Sequence, residues 1–355
     1  MSEPLRVGVV GYGLAGSVFH APLIAATPGL RVSAIVTGDP ARQARARADH
    51  PGATIHATTE ALLAQPGALD LVVVAAPNRA HVPVGLAALA AGLPIVVDKP
   101  VAASVADAER LRDAARHAGK LFTVFQNRRW DNDFLTLRQL IAQDALGRMV
   151  RLESRFERYR PELKPNAWRE RADPQEGGGL LFDLGAHLID QARVLFGQPV
   201  SVYAESDARR GGAAVDDDSF IALRFAGGEV AHLWASVIPR EPGPRYRAVG
   251  MRGIYEKYGL DPQEDALAAG ARPGDAGWGR EPPDHWGRLV TDVGGLAFAG
   301  TVETLPGAYE AYYAQVRDAL SGHAAPPVDP DDSIAVLRLI ESARESARTG
   351  AVVRV

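Results

Sequence analysis

An aspartate and a histidine lie four residues apart in a mostly apolar run, "GGLLFDLGAHLIDQARVLFG", at residues 178–197. The leucines of this run follow the helical repeat, which predicts a helix with one buried face. Asp183, His187 and Asp190 fall on a second face, about 100° round the helix, where the first two can reach one small molecule. A metal site is another option, but no further cluster of ligands has suitable spacing.

The chemistry suited to this pair is removal of a hydroxyl proton while the carbon gives up a hydride. A histidine titrates near neutral pH and is a suitable base, and a carboxylate can orient it or hold substrate hydroxyls. On the helix alone, a packed core histidine paired with Asp183 is the better interpretation. The choice between a catalytic and a structural role for His187 depends on other parts of the chain.

Lys99 in "VVDKPVA" follows an apolar run that resembles a buried strand. A residue before proline is locally extended, so the direction of this lysine is well fixed. At the carboxyl edge of a nucleotide-binding sheet it would lie near the nicotinamide and favour a developing alkoxide. The alternative is a solvated charge at the end of a strand.

Three glycines follow the first predicted strand in "VGVVGYGLAG", with the spacing Gly-x-Gly-x-x-Gly at Gly11, Gly13 and Gly16. The first glycine allows a tight turn, the second lets a pyrophosphate approach the backbone, and the third permits close packing of helix on strand. The phosphates would face the helix N-terminus. Because a strand precedes the motif and a helix follows it, the motif predicts dinucleotide binding rather than an ordinary turn.

The end of the second predicted strand bears on which dinucleotide binds. NAD sites usually place a carboxylate there for the ribose 2′-hydroxyl, whereas this chain has Thr37, with Asp39 two residues on and Arg42 after it. Without a carboxylate at Thr37, Arg42 can pair with a 2′-phosphate, so NADP is favoured over NAD. In the alternative, Arg42 is solvated and Asp39 holds the ribose.

The elements around these residues fall into two patterns. In the first third, apolar runs alternate with alanine-rich helical segments at 81–91 and 104–118, which predicts a doubly wound α/β domain. The runs expected as parallel strands are residues 5–10, 30–36, 69–76, 93–98 and 121–125.

After about residue 126 the pattern predicts a largely antiparallel sheet. A helix at 132–144 leads into an alternating strand at 147–160, and "AGGE" signals a hairpin between two later strands. Residues 260–300 are rich in Gly, Pro and Asp and are hard to assign. The other expected elements are strands at 199–206, 218–225, 229–238, 245–250 and 253–258, and helices at 307–321 and 331–348.

Length and composition exclude several classes of protein. A chain of 355 residues suggests about two domains, and a formal charge of −4 without a basic block points away from nucleic acid and anionic membranes. The absence of cysteine excludes disulfides, thiolate metal sites and cysteine nucleophiles. No signal peptide or spanning segment is recognisable, so we expect a soluble cytoplasmic protein.

Several short motifs in order resemble the glucose–fructose oxidoreductase/inositol dehydrogenase (Gfo/Idh/MocA) family over nearly the whole chain. They are "GYGLAG" with "FHAPLI", "APNRAH", "DKP", "QNRRWD" and "DLGAH". Within that family, "FQNRRWDNDFLTL", "NAWRE" and "YEKYGLDPQED" are similar to the NADP-dependent scyllo-inositol 2-dehydrogenase subgroup.

The resemblance implies a Rossmann domain over residues 1–125 and an α+β domain over residues 126–355, built on a large, mostly antiparallel sheet. The last helix is a candidate to pack back on the first domain. Family members commonly associate as dimers or tetramers through the open face of that sheet.

The resemblance also assigns roles to residues. The catalytic lysine of the family maps to Lys99, with Asp98 in place of the usual glutamate, and the family's Asp and His map to Asp183 and His187, the latter as general acid/base. The cofactor-binding candidates are Gly11, Tyr12, Gly13, Leu14, Ala15, Gly16, Thr37, Arg42, Pro77, Asn78, His81 and Lys99. The substrate-binding candidates are Lys99, Arg128, Trp130, Trp168, Asp183 and His187; for Arg128 and the tryptophans the alternative is packing between domains.

The sequence therefore predicts an NADP(H)-dependent oxidoreductase that acts on a secondary hydroxyl, or its ketone, of a cyclic polyol or sugar, with an inositol as the first candidate. Substrate and nicotinamide are expected to meet between the domains. The alternatives are an aldose or keto-sugar reductase with the same machinery, an NAD-preferring enzyme, and a non-catalytic protein that senses cofactor or sugar, because a fold alone never proves a function.

Overall fold

Six strands form a parallel sheet in the computed structural model, which describes residues 3–65, 67–163, 170 and 177–355. Five of them lie in the predicted apolar runs, whereas the short β3, with the sequence Thr-Ile-His, was not predicted. The strand order is β3-β2-β1-β4-β5-β6, so the chain reverses its direction of winding between β1 and β4. This confirms the predicted doubly wound sheet. The strands are β1 (Leu5–Val10), β2 (Leu30–Val36), β3 (Thr54–His56), β4 (Leu71–Val74), β5 (Ile95–Asp98) and β6 (Phe122–Phe125).

Helices alternate with these strands and begin and end at recognisable signals. The side chain of Ser104 accepts a hydrogen bond from the backbone of Asp107, and α5 ends at Gly119 in the left-handed region, with φ of 61°. A π-helical turn, Ala15–His20, leads into α1. The helices are α1 (Ala21–Ala26), α2 (Pro40–Asp49), α3 (Thr59–Leu63), α4 (Asn78–Ala90) and α5 (Val105–Ala118).

The described chain divides into two units, each made of three stretches of sequence. The first unit joins Met1–Trp130 to Pro262–Gly279 and Ala308–Ile334, which contain α9 (Gln263–Ala268) and α10 (Glu310–Leu320). The second unit consists of Asp131–Asp261, Arg280–Gly307 and Ala335–Val355.

The second unit is built on a nine-stranded sheet of order β14-β13-β12-β11-β7-β10-β9-β8-β15. Neighbouring strands are antiparallel except β7 and β10, which run parallel, so the predicted mostly antiparallel sheet is confirmed. The strands are β7 (Met149–Glu157), β8 (Pro199–Asp207), β9 (Asp218–Phe225), β10 (Val230–Ser236), β11 (Tyr246–Gly250), β12 (Ile254–Lys257), β13 (Gly287–Val293), β14 (Leu296–Val302) and β15 (Val353–Arg354).

One face of this sheet carries the helix that holds His187. Alternate residues of β9 and β10 are buried, and α8 (Gly185–Phe196) packs on β7, β9 and β10. The single helix predicted over 178–197 is wrong in detail, because Leu184 separates α7 (Leu180–Asp183) from α8. The remaining helices are α6 (Asn132–Ala142) and α11 (Pro330–Thr349), whose residues belong to the second unit from Ala335 onward.

The Gly-, Pro- and Asp-rich segment at 260–300, for which the sequence pattern predicts no element, contains most of a β-hairpin. Strands β13 and β14 pair across Gly294 and Gly295, whose φ angles of 62° and 83° suit a two-residue hairpin turn. The Gly-Gly pair between apolar alternating residues is a signal for such a turn, and it was missed. Among the described helices, none has both the length and the apolar composition of a membrane-spanning segment.

Candidate functional site

The glycine-rich turn after β1 is closed by contacts of backbone against backbone. An ideal Cβ on Gly11, where φ is 103°, would lie 2.4 Å from the Ala75 carbonyl oxygen, and one on Gly16 would lie 2.0 Å from the Gly11 carbonyl oxygen. Neither contact is tolerable, so the packing of the protein itself requires glycine at both positions.

Gly13 is different because the protein leaves room beside it. Apart from its chain neighbours, the nearest described atom to an ideal Cβ on Gly13 is Nη1 of Arg42, at 3.8 Å. No contact within the described chain therefore requires glycine there. A ligand that approaches the backbone closely, as a pyrophosphate does in Rossmann domains, would require it.

The residues between these glycines have opposite environments. Tyr12 is buried, its ring meets His50 edge-on, and its hydroxyl donates to Asp49 Oδ2 at 2.8 Å. Burial, together with this hydrogen bond, raises the pKa of Tyr12 above its ordinary value. Leu14, by contrast, is 59% exposed in the same turn, which leaves an apolar surface open to a bound molecule. Ala15 begins the π-helical turn.

The side chains at the end of β2 are arranged around the first turn of α2. Asp39 Oδ1 accepts the backbone N–H of Arg42 at 3.0 Å as the helix cap, and its Oδ2 lies 3.9 Å from Arg42 Nε. Thr37 is buried, and its hydroxyl oxygen accepts the Asp39 N–H at 3.4 Å. Asp39 is thus already engaged by the helix, while the guanidinium of Arg42 extends toward Gly13.

The segment after β4 provides the other predicted cofactor contacts. Pro77 caps α4, and Asn78 is the first residue of that helix. His81 is 1% exposed, and its Nδ1 and Nε2 lie 2.8 Å from the carbonyl oxygens of Pro100 and Ala76. The ring of His81 therefore lies between two backbone segments, one after β4 and one after β5, and its neutral form donates to one of the two carbonyls.

Lys99 follows directly on β5 at the carboxyl edge of the parallel sheet, as predicted. The backbone N–H of Lys99 donates to Asp98 Oδ1 at 2.9 Å, and the same carboxylate oxygen lies 3.6 Å from Nε2 of the buried His20. Burial raises the pKa of Asp98, but its contacts with His20, with smaller contributions from His81 and Lys99, outweigh burial and hold that pKa below its ordinary value. The carboxylate is therefore charged at neutral pH. Sequence reasoning did not find the role of His20, although the residue lies in the quoted "FHAPLI".

Arg128 and Trp130 lie on a 3-10 turn, Asn127–Trp130, within the first unit. Arg128 is buried and donates to Glu264, and also to the Tyr309 hydroxyl at 3.2 Å. Trp130 is 9% exposed and meets the ring of Tyr312 edge-on. Trp168 lies outside the described residues.

Asp183 and His187 lie in the second unit, at the junction of α7 and α8. The start of α7 is fixed by Asp216, which accepts the backbone N–H groups of Leu180 at 3.1 Å and Leu181 at 2.6 Å. Asp183 is half-buried at the last position of α7, and His187 is 4% exposed in the first turn of α8. The ring of His187 lies 6.2 Å from that of Phe156, so its environment is partly aromatic.

A buried arginine that the sequence did not single out supports this helix. Arg245 is 2% exposed and donates to Gln191 Oε1 at 2.9 Å, one helical turn after His187. Its Nε lies 3.2 Å from the carboxylate of the buried Asp133, and its guanidinium lies 4.0 Å from the Phe156 ring centre. Phe156 thus contacts both the arginine and His187.

The parallel sheet, the reversal of strand order between β1 and β4 and the glycine-rich turn define a nucleotide-binding domain of the Rossmann class. Residues 5–126 match the family model for the NAD-binding Rossmann fold of the Gfo/Idh/MocA oxidoreductases. Residues 138–355 match the model for the C-terminal alpha/beta domain of the same family. The chain belongs to the Gfo/Idh/MocA oxidoreductase family, which confirms the predicted resemblance.

Curated relatives and a solved structure align with the chain over almost its full length. The chain is 37% identical over 346 residues to scyllo-inositol 2-dehydrogenase (NADP(+)) IolW of Bacillus subtilis, covering 98% of this chain and 94% of that protein. It is 41% identical over 348 residues to the uncharacterized oxidoreductase YdgJ of Escherichia coli, covering 98% of both. The solved structure of the oxidoreductase yvaA from Bacillus subtilis superposes with a TM-score of 0.94 at 36% identity, covering 99% of both chains.

Proposed function

We propose that the protein transfers hydride between NADP(H) and a secondary hydroxyl, or its ketone, of a cyclic polyol or sugar, with an inositol as the first candidate. The observation that carries the cofactor half of this proposal is the open space at Gly13, bordered by Arg42 Nη1 at 3.8 Å from an ideal Cβ. The similarity to an NADP-dependent scyllo-inositol 2-dehydrogenase supports the substrate class.

NADP is preferred to NAD in this proposal. Asp39 caps α2 and pairs with Arg42, so its carboxylate is occupied at the point where an NAD site needs one for the ribose. Arg42, beside the glycine-rich turn, supplies the charge that a 2′-phosphate needs. NAD is the second candidate. The proposed cofactor-binding set is the glycine-rich turn with Thr37, Arg42, Pro77, Asn78, His81 and Lys99.

Lys99 of the first unit and the Asp183/His187 pair of the second are proposed to act on one substrate. When bound, the nicotinamide supplies the hydride acceptor or donor. His187 takes the hydroxyl proton through a ring nitrogen, or returns it in the reverse direction. Lys99 donates to the substrate oxygen and stabilises its developing negative charge, and Asp183 orients His187 or a neighbouring hydroxyl. Arg128, Trp130 and Trp168 are proposed to contact substrate.

Turnover over a panel of inositols, aldoses and ketoses with NADP and NAD, followed by nicotinamide absorbance, tests the activity. His187→Ala and Lys99→Ala are expected to lower kcat by about 10² to 10⁴-fold, because each removes a proton donor or acceptor from the transition state. Binding of NADPH should change by less than about 3-fold in His187→Ala, and in Lys99→Ala it should change far less than kcat, since the other proposed nucleotide contacts remain. Lys120→Ala and His323→Ala, at exposed positions of the same residue types, are the matched controls.

The same panel separates the rival functions. An aldose or keto-sugar reductase would turn over open-chain or pyranose substrates in preference to inositols. A sensing protein would bind NADPH without turnover of any substrate in the panel. Unchanged turnover in both His187→Ala and Lys99→Ala would refute the assigned roles.

We further propose that the chain forms a homodimer or homotetramer through the open face of the nine-stranded sheet. On β9 and β10, Phe220 and Trp234 alternate with buried residues, so they lie on the face opposite α8. The guanidinium of Arg155 lies 3.9 Å from the Trp234 ring centre on that face. Light scattering of the wild type and of Trp234→Glu tests this; a monomeric wild type at micromolar concentration would refute it.

A further inference from the structure

Lys99 lies between two residues that each have a buried histidine beside them. On its N-terminal side, His20 Nε2 lies 3.6 Å from Asp98 Oδ1; on its C-terminal side, His81 Nδ1 lies 2.8 Å from the Pro100 carbonyl oxygen. The two histidines are 0% and 1% exposed, and both belong to the first unit. Neither is close to Lys99 in the chain, so tertiary packing places them there.

The orientation of His20 is fixed from its other side. Its Nδ1 lies 2.5 Å from the hydroxyl oxygen of Tyr313 on α10, and its ring packs on Phe125 with centres 4.4 Å apart. Nε2 therefore faces Asp98, whose Oδ1 also accepts the backbone N–H of Lys99 at 2.9 Å. A chain of polar contacts thus runs from Tyr313 through His20 and Asp98 to the backbone of Lys99.

His81 fixes the other side in a different way. Its Nε2 lies 2.8 Å from the Ala76 carbonyl oxygen, so the ring joins the segment after β4 to the segment after β5. A neutral imidazole donates through one nitrogen only, whereas an imidazolium donates to both carbonyls. Burial lowers the pKa of His81, and Asp98 and the two carbonyls act in the opposite direction without overcoming burial.

We propose that His20 and His81 are positioning residues that hold Lys99 in the direction needed for hydride transfer. The proposal rests on the catalytic role assigned to Lys99 above. His20 acts through the Asp98 carboxylate and His81 through the Pro100 carbonyl; neither needs to touch the substrate. Because buried polar groups with several fixed partners have few alternative arrangements, their removal frees the segment rather than replacing one contact by another.

The kinetic test compares His20→Asn and His81→Asn with two controls. Each variant is expected to lower kcat by about 10²-fold, the effect of a small misplacement of a catalytic group. The Kd for NADPH should change by less than about 3-fold in His20→Asn, because His20 lies outside the proposed cofactor-binding set. His117→Asn, at an exposed position of α5, controls for the substitution. Thr27→Val removes a buried hydrogen bond to the Leu23 carbonyl oxygen and controls for lost stability.

A second measurement does not depend on turnover. The chain has four lysines, so reductive methylation with ¹³C-formaldehyde gives few dimethylamino resonances, and Lys99→Arg assigns the one of Lys99. We expect this resonance to move in folded His20→Asn and His81→Asn but not in His117→Asn, while that of the exposed Lys120 stays in place. Asp98→Asn should move it as well.

The two measurements separate failure of this inference from failure of the proposed function. A Lys99 resonance that moves in both variants of a protein without turnover on any polyol supports the positioning role and refutes the proposed activity. A Lys99 resonance unchanged in both folded variants overturns the positioning role, whatever the turnover. A kcat in both variants equal to that of Thr27→Val overturns it too.

Discussion

Replacement of Arg42 by alanine is expected to remove the preference for NADP over NAD. In the structure Nη1 of Arg42 lies 3.8 Å from an ideal Cβ on Gly13, the glycine that leaves room for a pyrophosphate. The Arg42 side chain is 56% exposed, and its Nε lies 3.9 Å from Asp39 Oδ2. The guanidinium of Arg42 is therefore close to the glycine-rich turn where the nucleotide is proposed to bind, and its N–H groups can still donate to a phosphate.

The size of the effect follows from these contacts. A hydrogen bond between charged groups contributes about 1.5–3 kcal/mol, which is about 10 to 150-fold in Kd. Exposure to solvent and the competing carboxylate of Asp39 both weaken the pair, so the lower part of this range, about 10 to 50-fold, is expected for NADP. NAD lacks the 2′-phosphate, and its Kd should change by less than about 3-fold.

Titration of wild type and variant with both cofactors, followed by calorimetry or nicotinamide fluorescence, measures these constants. Arg47→Ala is the matched control, because Arg47 is an exposed arginine on the same helix, about 140° round from Arg42. If Arg42→Ala weakened the binding of NADP and of NAD equally, or if Arg47→Ala weakened NADP binding by the same factor, the assignment of Arg42 to the 2′-phosphate would be contradicted. If Asp39→Ala instead weakens NAD and Arg42→Ala changes nothing, then Asp39 holds the ribose.

Three further outcomes are expected. Gly13→Ala should keep the Tm of the wild type, because the protein leaves room for the Cβ, but it should weaken the binding of NADP and of NAD by similar factors. Gly16→Ala should lower the Tm, because its Cβ meets a backbone carbonyl. Arg245→Met should lower the free energy of unfolding in urea by about 3–5 kcal/mol, since it leaves the buried Asp133 carboxylate unpaired, and adding Asp133→Leu should restore much of the loss. The pKa of His81 is lower in the folded protein than in the unfolded chain, so at acidic pH the unfolded chain binds a proton that the folded chain does not. The Tm should therefore fall as the pH drops below about 6.5. A constant Tm between pH 8 and pH 5 would contradict this.

The parts of the fold that could be predicted depend on local pattern. Strands β1 and β2 have the predicted bounds, since each is an uninterrupted apolar run between turn signals. The hairpin of β9 and β10 formed at "AGGE" as predicted. The break at Leu184 was missed because the apolar repeat continues through it, and the repeat reports which face is buried, not whether each backbone hydrogen bond is made.

The candidate site also contains residues whose positions could be predicted from sequence and residues whose roles could not. Lys99 and the glycine-rich turn could be placed from sequence, because a strand end and a turn position the residues next to them. His20 and Arg245 could not be given a role, since the residues next to them in the sequence do not reveal their partners. Their partners are 293 and 54 residues away in Tyr313 and Gln191.

The sequence by itself determined the two kinds of sheet, the dinucleotide turn and the residue types available for hydride transfer, because these follow from backbone sterics and periodicity within short stretches. Only the tertiary structure decided that residues 262–279 and 308–334 join the first 130 in one unit, and that buried histidines flank Lys99. The physical reason is that partners for buried polar groups are chosen by packing across the whole chain, where charge and hydrogen bonds must be satisfied together.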